Sequence, residues 1–129
     1  MQPLIENLRI EHHPTGLGIP HPSPRISWGY RGKSPKKLPK NWLQVSYEIE
    51  VLRNRSKSPD VWSFAIDSRN NILVPWPDVP LVSLERTHLR VRAKGGSFPD
   101  PLTDLKPALS KIRPAWTEWS DWILVELRC

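Results

Sequence analysis

Three tryptophans within seven residues constrain the fold of this chain more than any other feature. Trp116, Trp119 and Trp122 lie in the sequence WTEWSDW, which runs directly into an apolar segment at 123–127. Leaving three indole rings in water is costly, so another part of the chain must cover them. The stretch therefore predicts a matching surface elsewhere in the fold.

The best candidate for that surface is the sequence LRVRA, in which apolar and cationic residues alternate. A β-strand there points Leu89, Val91 and Ala93 to one side and Arg90 and Arg92 to the other. Both guanidinium groups then lie on one face.

Stacking of arginine on indole can join these two segments. If residues 116–120 are extended with three residues per turn, Trp116 and Trp119 also share one face. Each guanidinium stacked on an indole contributes roughly 0.5–2 kcal/mol. We therefore predict a structural ladder made of Arg90, Arg92, Trp116 and Trp119.

The length and composition indicate a single β-rich domain. A chain of 129 residues is long enough for one core, and its 15 prolines favour turns and strand edges over long helices. Short apolar/polar alternations separated by turn residues predict seven strands. The strands are expected at about 4–11, 24–30, 43–52, 61–66, 71–75, 86–93 and 121–128, with a long loop at 94–115.

This pattern is typical of an antiparallel β-sandwich of immunoglobulin or fibronectin type III kind. The clearest strand places Leu43, Val45, Tyr47, Ile49 and Val51 on one face. Trp28, in the second strand, is predicted to anchor the core.

Charge and cysteine usage narrow the possible partners. The net charge is +6, but its arginines are spread along the chain, and the lysine cluster at 33–40 is interrupted by prolines. We therefore expect no nucleic-acid partner. Cys129 is the only cysteine, and neither a signal peptide nor a membrane-spanning stretch is seen, so a cytoplasmic location is expected. The sequon at Asn54 matters only in a secreted protein.

Catalytic and metal-binding motifs are missing from the sequence. There is no Gly-rich phosphate loop, no His-Glu-x-x-His, no Gly-x-Ser-x-Gly and no paired-cysteine site. Glu48 and Glu50 alternate with a buried face and are interpreted as solvated strand residues rather than a catalytic pair. We expect no catalytic residue, no cofactor and no metal site.

Several segments, taken in order, resemble the N-terminal fibronectin type III-like module of the α-L-rhamnosidases of glycoside hydrolase family 78. The matching segments have the sequences ENLRIE (6–11), GLGI (16–19), PRISW (24–28), YEIEV (47–51), RVR (90–92) and WSDW (119–122).

This resemblance implies a non-catalytic module and a fragment of a larger enzyme that removes terminal α-L-rhamnose. The family's catalytic carboxylates belong to a separate helical barrel domain, and no acidic residue here matches their motif. The expected partners are therefore the remaining domains of a parent rhamnosidase.

Three alternatives predict different partners. The sequence WTEWS at 116–120 also resembles the Trp-Ser-x-Trp-Ser box of cytokine-receptor fibronectin modules, although those receptors normally carry paired cysteines and a signal peptide. Trp42, Trp62 and Trp76 could instead offer flat rings to sugars, as in a carbohydrate-binding module. A free-standing protein-interaction domain is a third possibility.

Overall fold

The computed structural model describes residues 2–13, 16–33, 37–39, 41–53, 60–83, 85–97 and 113–128. Seven strands lie in these ranges: β1 (Leu4–Ile10), β2 (Ile26–Arg31), β3 (Trp42–Arg53), β4 (Asp60–Ile66), β5 (Thr87–Ser97), β6 (Ala115–Trp116) and β7 (Ile123–Val125).

The strands form two sheets. One sheet holds β1 and β2, and the other has the order β4-β3-β5-β6, with β7 also paired to β5. Every strand pair is antiparallel. The predicted antiparallel β-sandwich is therefore confirmed.

The core lies between the two sheets and is centred on Trp28. This indole is fully buried, and its ring packs edge-on against Tyr47 of β3 with centroids 5.1 Å apart. Its Nε1–H donates to the hydroxyl of Tyr30 at 2.9 Å, so the one polar atom of the ring is satisfied. Burial raises the pKa of both tyrosines.

A β-bulge in β3 changes which residues face the core. The sequence predicted Leu43 and Val45 on the buried face, but the register shifts between Gln44 and Ser46. Residues before the bulge are therefore inverted, because one extra residue reverses the alternation. Leu43 is 46% exposed, whereas Trp42 and Gln44 are buried.

The predicted strand 71–75 does not form. The segment runs beside β2, where only Val74 makes a bridge, to Ile26. Leu73 has a positive φ of 50° and donates its N–H to the Ser27 hydroxyl, and Pro75 has no N–H to continue a ladder.

Two other predicted strands change length clearly, whereas the bounds of the remaining four move by at most two residues. The strand expected at 86–93 continues to Ser97, and the one expected at 121–128 contracts to Ile123–Val125. The predicted loop 94–115 therefore begins inside β5 and ends at β6, while its centre, residues 98–112, lies outside the described residues, as does Asn54. The single-domain assignment stays a prediction.

A buried ionic network at the end of β3 was not predicted. Arg53 has no exposed side-chain surface, and its Nε and Nη2 donate to the Glu85 carboxylate at 2.6 and 2.7 Å. Nη1 donates to Asp78 at 3.2 Å and to the Val79 carbonyl at 2.6 Å, and Nη2 also donates to the Pro80 carbonyl at 3.0 Å. All five guanidinium N–H groups are therefore satisfied.

The network shifts the pKa values of its members in opposite directions. The hydrogen bonds that Arg53 donates to Glu85 raise the pKa of Arg53. Burial raises the pKa of Glu85, but hydrogen bonds from Arg53, from the Val82 N–H and from the Thr87 hydroxyl more than offset it, so this pKa lies below its ordinary value. Both side chains are therefore charged in the folded chain at neutral pH.

Glu85→Gln should destabilise the fold by about 3 kcal/mol at pH 7, because it leaves Arg53 buried with only Asp78 as a charged partner. The free energy of unfolding in urea is the measurement. Glu118→Gln is the control, since the Glu118 side chain is 69% exposed, and it should change stability by less than about 0.5 kcal/mol. Equal losses in the two variants would contradict the role of the network.

Acidification should reduce the difference in the free energy of unfolding between Glu85→Gln and the parent. Burial raises the pKa of Glu85, but hydrogen bonds from Arg53, Val82 and Thr87 bring it below its ordinary value. The stabilisation by the Glu85 carboxylate is therefore complete above the unfolded pKa, about 4.3, and is lost as pH falls through the folded pKa. Unfolding free energies measured between neutral pH and about pH 3 test this, and a constant difference would refute it.

Candidate functional site

The outer face of the larger sheet carries a column of alternating cations and indoles, here called the ladder, which includes Arg90, Arg92, Trp116 and Trp119. β5 sends Leu89, Val91 and Ala93 to the core, where all three are buried. The side chains between them project outward because strand residues alternate. Arg90 and Arg92 therefore stand side by side above the sheet.

Both arginines lie between two indole rings. The Arg90 guanidinium carbon is 4.5 Å from the ring centroids of both Trp119 and Trp122. The Arg92 carbon is 4.4 Å from the centroid of Trp116 and 4.6 Å from that of Trp119. These distances are within the range of cation–π stacking.

The ladder continues beyond the residues that the sequence predicted. Trp122 adds an indole outside Arg90, and the Lys94 ammonium lies 5.9 Å from the Trp116 centroid. Trp122 continues the three-residue spacing of Trp116 and Trp119, and Lys94 continues the two-residue spacing of the arginines. Those spacings are the signals that could have identified both residues.

The tryptophan segment is held by an unusual register against β5. The Thr117 N–H donates to the Ala93 carbonyl at 2.7 Å, and the Ser120 N–H donates to the Val91 carbonyl at 2.8 Å. Ile123 then pairs with Leu89. Three residues of this segment thus match two of β5, and this register brings every third side chain to the same face.

Two hydroxyl groups complete the pairing. The Val91 N–H donates to the Ser120 hydroxyl at 2.9 Å, and the Ala93 N–H donates to the Thr117 hydroxyl at 3.1 Å. Side chains here accept hydrogen bonds that carbonyls would accept in a regular strand. Val91 and Ala93 of β5 therefore use both their N–H groups and their carbonyls to hold the tryptophan segment.

Glu48 and Glu50 are bound to the ladder from the neighbouring strand. Arg90 donates from Nε and Nη2 to Glu50 at 3.0 and 2.8 Å, and Arg92 donates from Nε to Glu48 at 2.7 Å. Both glutamate side chains are only 16% exposed. The interpretation of these residues as solvated was wrong, because the arginines directly opposite on β5 reach across to them.

Two of the three tryptophans considered for sugar stacking point into the protein. Trp42 and Trp76 are 9% and 8% exposed, and their Nε1–H groups donate to Gln2 and to the Val79 carbonyl. Trp62 is 50% exposed, as a single ring on β4. These three residues therefore form no flat aromatic platform.

A small open cleft lies beside the ladder, between β1 and the segment 120–123. Its volume is about 250 Å³, and its polar lining includes Glu6, Asn7, Arg31 and Asp121. Within the described ranges, no group of three or more His, Cys, Asp or Glu side chains is arranged to hold a metal ion. No described helix is long and apolar enough to cross a membrane.

Comparison with known proteins identifies the family. Residues 5–99 match the model described as the Rha78A-like, N-terminal immunoglobulin domain. The chain belongs to this family. The match covers β1 from its second residue and all of β2, β3, β4 and β5, and it ends before the tryptophan segment.

Solved structures extend the likeness of this immunoglobulin domain over almost the whole chain. The chain is similar to the α-L-rhamnosidase from Aspergillus terreus, with 35% identity and a TM-score of 0.73. The aligned region covers 98% of this chain and 12% of that enzyme's chain. The α-L-rhamnosidase from Streptomyces avermitilis, complexed with L-rhamnose, has 21% identity and a TM-score of 0.66 over 97% of this chain and 11% of that one. That second likeness shows the fold alone. No curated protein matches the chain.

Truncating the central indole should cost the most stability of the three. Trp119 stacks on both arginines, so Trp119→Ala should lower the free energy of unfolding by roughly 2–4 kcal/mol. Trp122 stacks on one arginine, Arg90, and Trp122→Ala should cost about 1 kcal/mol. Urea unfolding is the measurement, and equal losses would contradict the stacked order.

Removing one cation should have a smaller effect. Arg92→Ala should destabilise the fold by about 1 kcal/mol through lost stacking and lost packing of its aliphatic stem. Arg86→Ala is the matched control, because its side chain is 73% exposed and its loss should stay within about 0.5 kcal/mol. Identical urea midpoints for Arg92→Ala and the parent would show that the ladder cation contributes nothing.

Proposed function

We propose that this chain is the non-catalytic N-terminal immunoglobulin-like module of an α-L-rhamnosidase, and that it packs against and orders the other domains of that enzyme. The observation that carries the proposal is the unequal coverage of the Aspergillus terreus enzyme. Nearly all of this chain aligns, yet it spans about one eighth of the matched chain.

The state of the carboxylates supports a non-catalytic role. Hydrolysis of a glycoside with inversion needs one carboxyl group with a raised pKa as the acid and a second that activates water. Glu11 and Glu85 instead have lowered pKa values because arginines hold them. Glu48 and Glu50 are each engaged by an arginine of the ladder.

The ladder has a structural part in the proposed module. It fastens the tryptophan segment to β5, and the contacts that do so lie within this chain. Because the indoles stack on arginines of this chain, we assign them a structural role rather than a role in ligand recognition. The predictions of a cytoplasmic location and of no nucleic-acid partner stay predictions.

A turnover assay tests the non-catalytic role. The 129-residue chain should release no product from an aryl α-L-rhamnoside, because Glu11, Glu48, Glu50 and Glu85 are each held by an arginine. A fungal α-L-rhamnosidase is the positive control, and a column fraction free of the chain is the blank. Activity that elutes with the chain through successive purification steps would refute the proposal.

The ordering role has its own test. Deleting the aligned module from the Aspergillus terreus enzyme should lower the midpoint of its thermal unfolding, because the surface that faces the module becomes exposed. A deletion that leaves both the midpoint and the activity unchanged would show that the module orders nothing.

Carbohydrate binding is the second candidate, and the cleft beside β1 is the observation that favours it. Carboxylate, amide and guanidinium groups line it, and such groups bind sugar hydroxyls. Titration with L-rhamnose, followed by tryptophan fluorescence, should report binding there through Trp122, which lies in the sequence between the lining residues Asp121 and Ile123. The response should weaken in Asp121→Ala, which removes a polar lining group. An unchanged spectrum in the parent, or an equal response in the parent and the variant, would exclude this candidate.

A further inference from the structure

β4 is an open edge of the larger sheet. It pairs with β3 along its full length, from Asp60 opposite Arg53 to Ile66 opposite Tyr47. Apart from the pairing with β3, residues 60–66 make no backbone–backbone hydrogen bond to another described residue. Within the described part of the chain, the backbone groups of β4 that point away from β3 therefore have no strand partner and can pair with another strand.

The core-side face of this edge is apolar and incompletely covered. Trp62, Phe64 and Ile66 occupy alternate positions on that face, opposite residues of β3 that belong to the core. Trp62 is 50% exposed, Ile66 is 38% exposed and Phe64 is half-buried. Among the described residues the small sheet has two strands, and the exposure of Trp62 and Ile66 shows that they do not cover this margin of the larger sheet.

The described strand β4 itself lacks the sequence and register features that commonly protect an edge strand. Its sequence, DVWSFAI, has no lysine, arginine or proline, and its one charge is at its first residue. The register with β3 contains no bulge along this strand. Natural edge strands commonly use such features to avoid pairing with other chains.

We propose that β4 pairs with β4 of a second copy of this chain, antiparallel about a two-fold axis at Phe64. A two-fold axis perpendicular to the sheet keeps the same face up in both copies, so only residues of equal parity can lie opposite each other. The apolar stripes of the two copies then form one continuous surface.

The sequence of β4 is its own complement in this register. Phe64 lies opposite Phe64 of the second copy, and Trp62 lies opposite Ile66, twice. Ser63 lies opposite Ala65 on the outer face. Aromatic and aromatic–aliphatic cross-strand pairs are among the stabilising ones, and no charged residue stands opposite the stripe. This self-complementarity favours a second copy over an unrelated strand.

The size of the contact sets the expected strength. One seven-residue strand on each side buries much less than the about 1,600 Å² of a standard interface, so the dimer is a weak one. The product is a continuous sheet made of two five-stranded sheets, and it leaves neither copy of β4 open.

Sedimentation equilibrium on the full 129-residue chain tests the proposal. The apparent mass should rise from 14.9 kDa towards twice that value as the concentration is raised from about 10 µM to about 1 mM. An apparent mass that stays at 14.9 kDa throughout this series would overturn the proposal.

Matched lysine variants assign the contact to β4. Trp62→Lys and Ala65→Lys each place a charge in the proposed pairing and should keep the chain monomeric. Leu17→Lys is the control, because Leu17 is 52% exposed, like Trp62, and lies outside β4, so it should associate like the parent. Urea midpoints identify any variant that fails to fold. Association by both folded β4 variants, or its loss in Leu17→Lys, would refute the assignment.

A disulfide experiment tests the register. In a Cys129→Ser background, Ser63→Cys and Ala65→Cys chains are mixed and oxidised. Directly opposite residues have Cβ atoms about 4.5–5.5 Å apart, close to what a disulfide needs, whereas diagonal neighbours are farther apart. The mixed disulfide should exceed either homodimeric one several-fold. A statistical mixture would rule out the Phe64 axis.

Discussion

The alternation of β5 is the constraint on which the rest of the structure depends. It sends Leu89, Val91 and Ala93 into the core, and it leaves the cations between them on the outer face. One strand therefore serves two assemblies, the apolar core below and the ladder above. β3 pairs with it over nearly its full length and supplies core residues to the inner face and carboxylates to the outer face. Each arginine is thus held both by rings and by a carboxylate, and the tryptophan segment acquires a fixed position.

Alternation was also the part of the fold that the sequence could predict. The sandwich architecture and the burial of Trp28 follow from period-two patterns, which are local and visible in one chain. Bulges are not visible in this way. The one in β3 depends on how Gln44 and Ser46 meet β5, so Leu43 looked buried although it is largely exposed. The segment 71–75 looked like a strand, but it follows β2 by a mixture of backbone and side-chain hydrogen bonds.

The buried network around Arg53 shows a second limit of sequence reasoning. Its partners lie 25 and 32 residues away along the chain, and no spacing rule connects them. A buried arginine with five satisfied N–H groups is acceptable only because carbonyls from the turn at 79–80 meet it. That turn is rich in proline, and the sequence presents it as a simple connection. The network therefore gives the proline-rich segment its place in the fold.

The three-for-two register of the tryptophan segment limits how its length can change. A β-strand that gains two residues keeps its faces, because its side chains alternate. Between Thr117 and Ile123 the repeat is three residues, so the gain or loss of one or two would turn an indole away from its guanidinium. A gain of three would keep the faces but would shift an indole one step along β5, away from the arginine on which it stacks. Few insertions or deletions in this segment are therefore compatible with the stacking. In related sequences its length should vary far less than that of the loops around it.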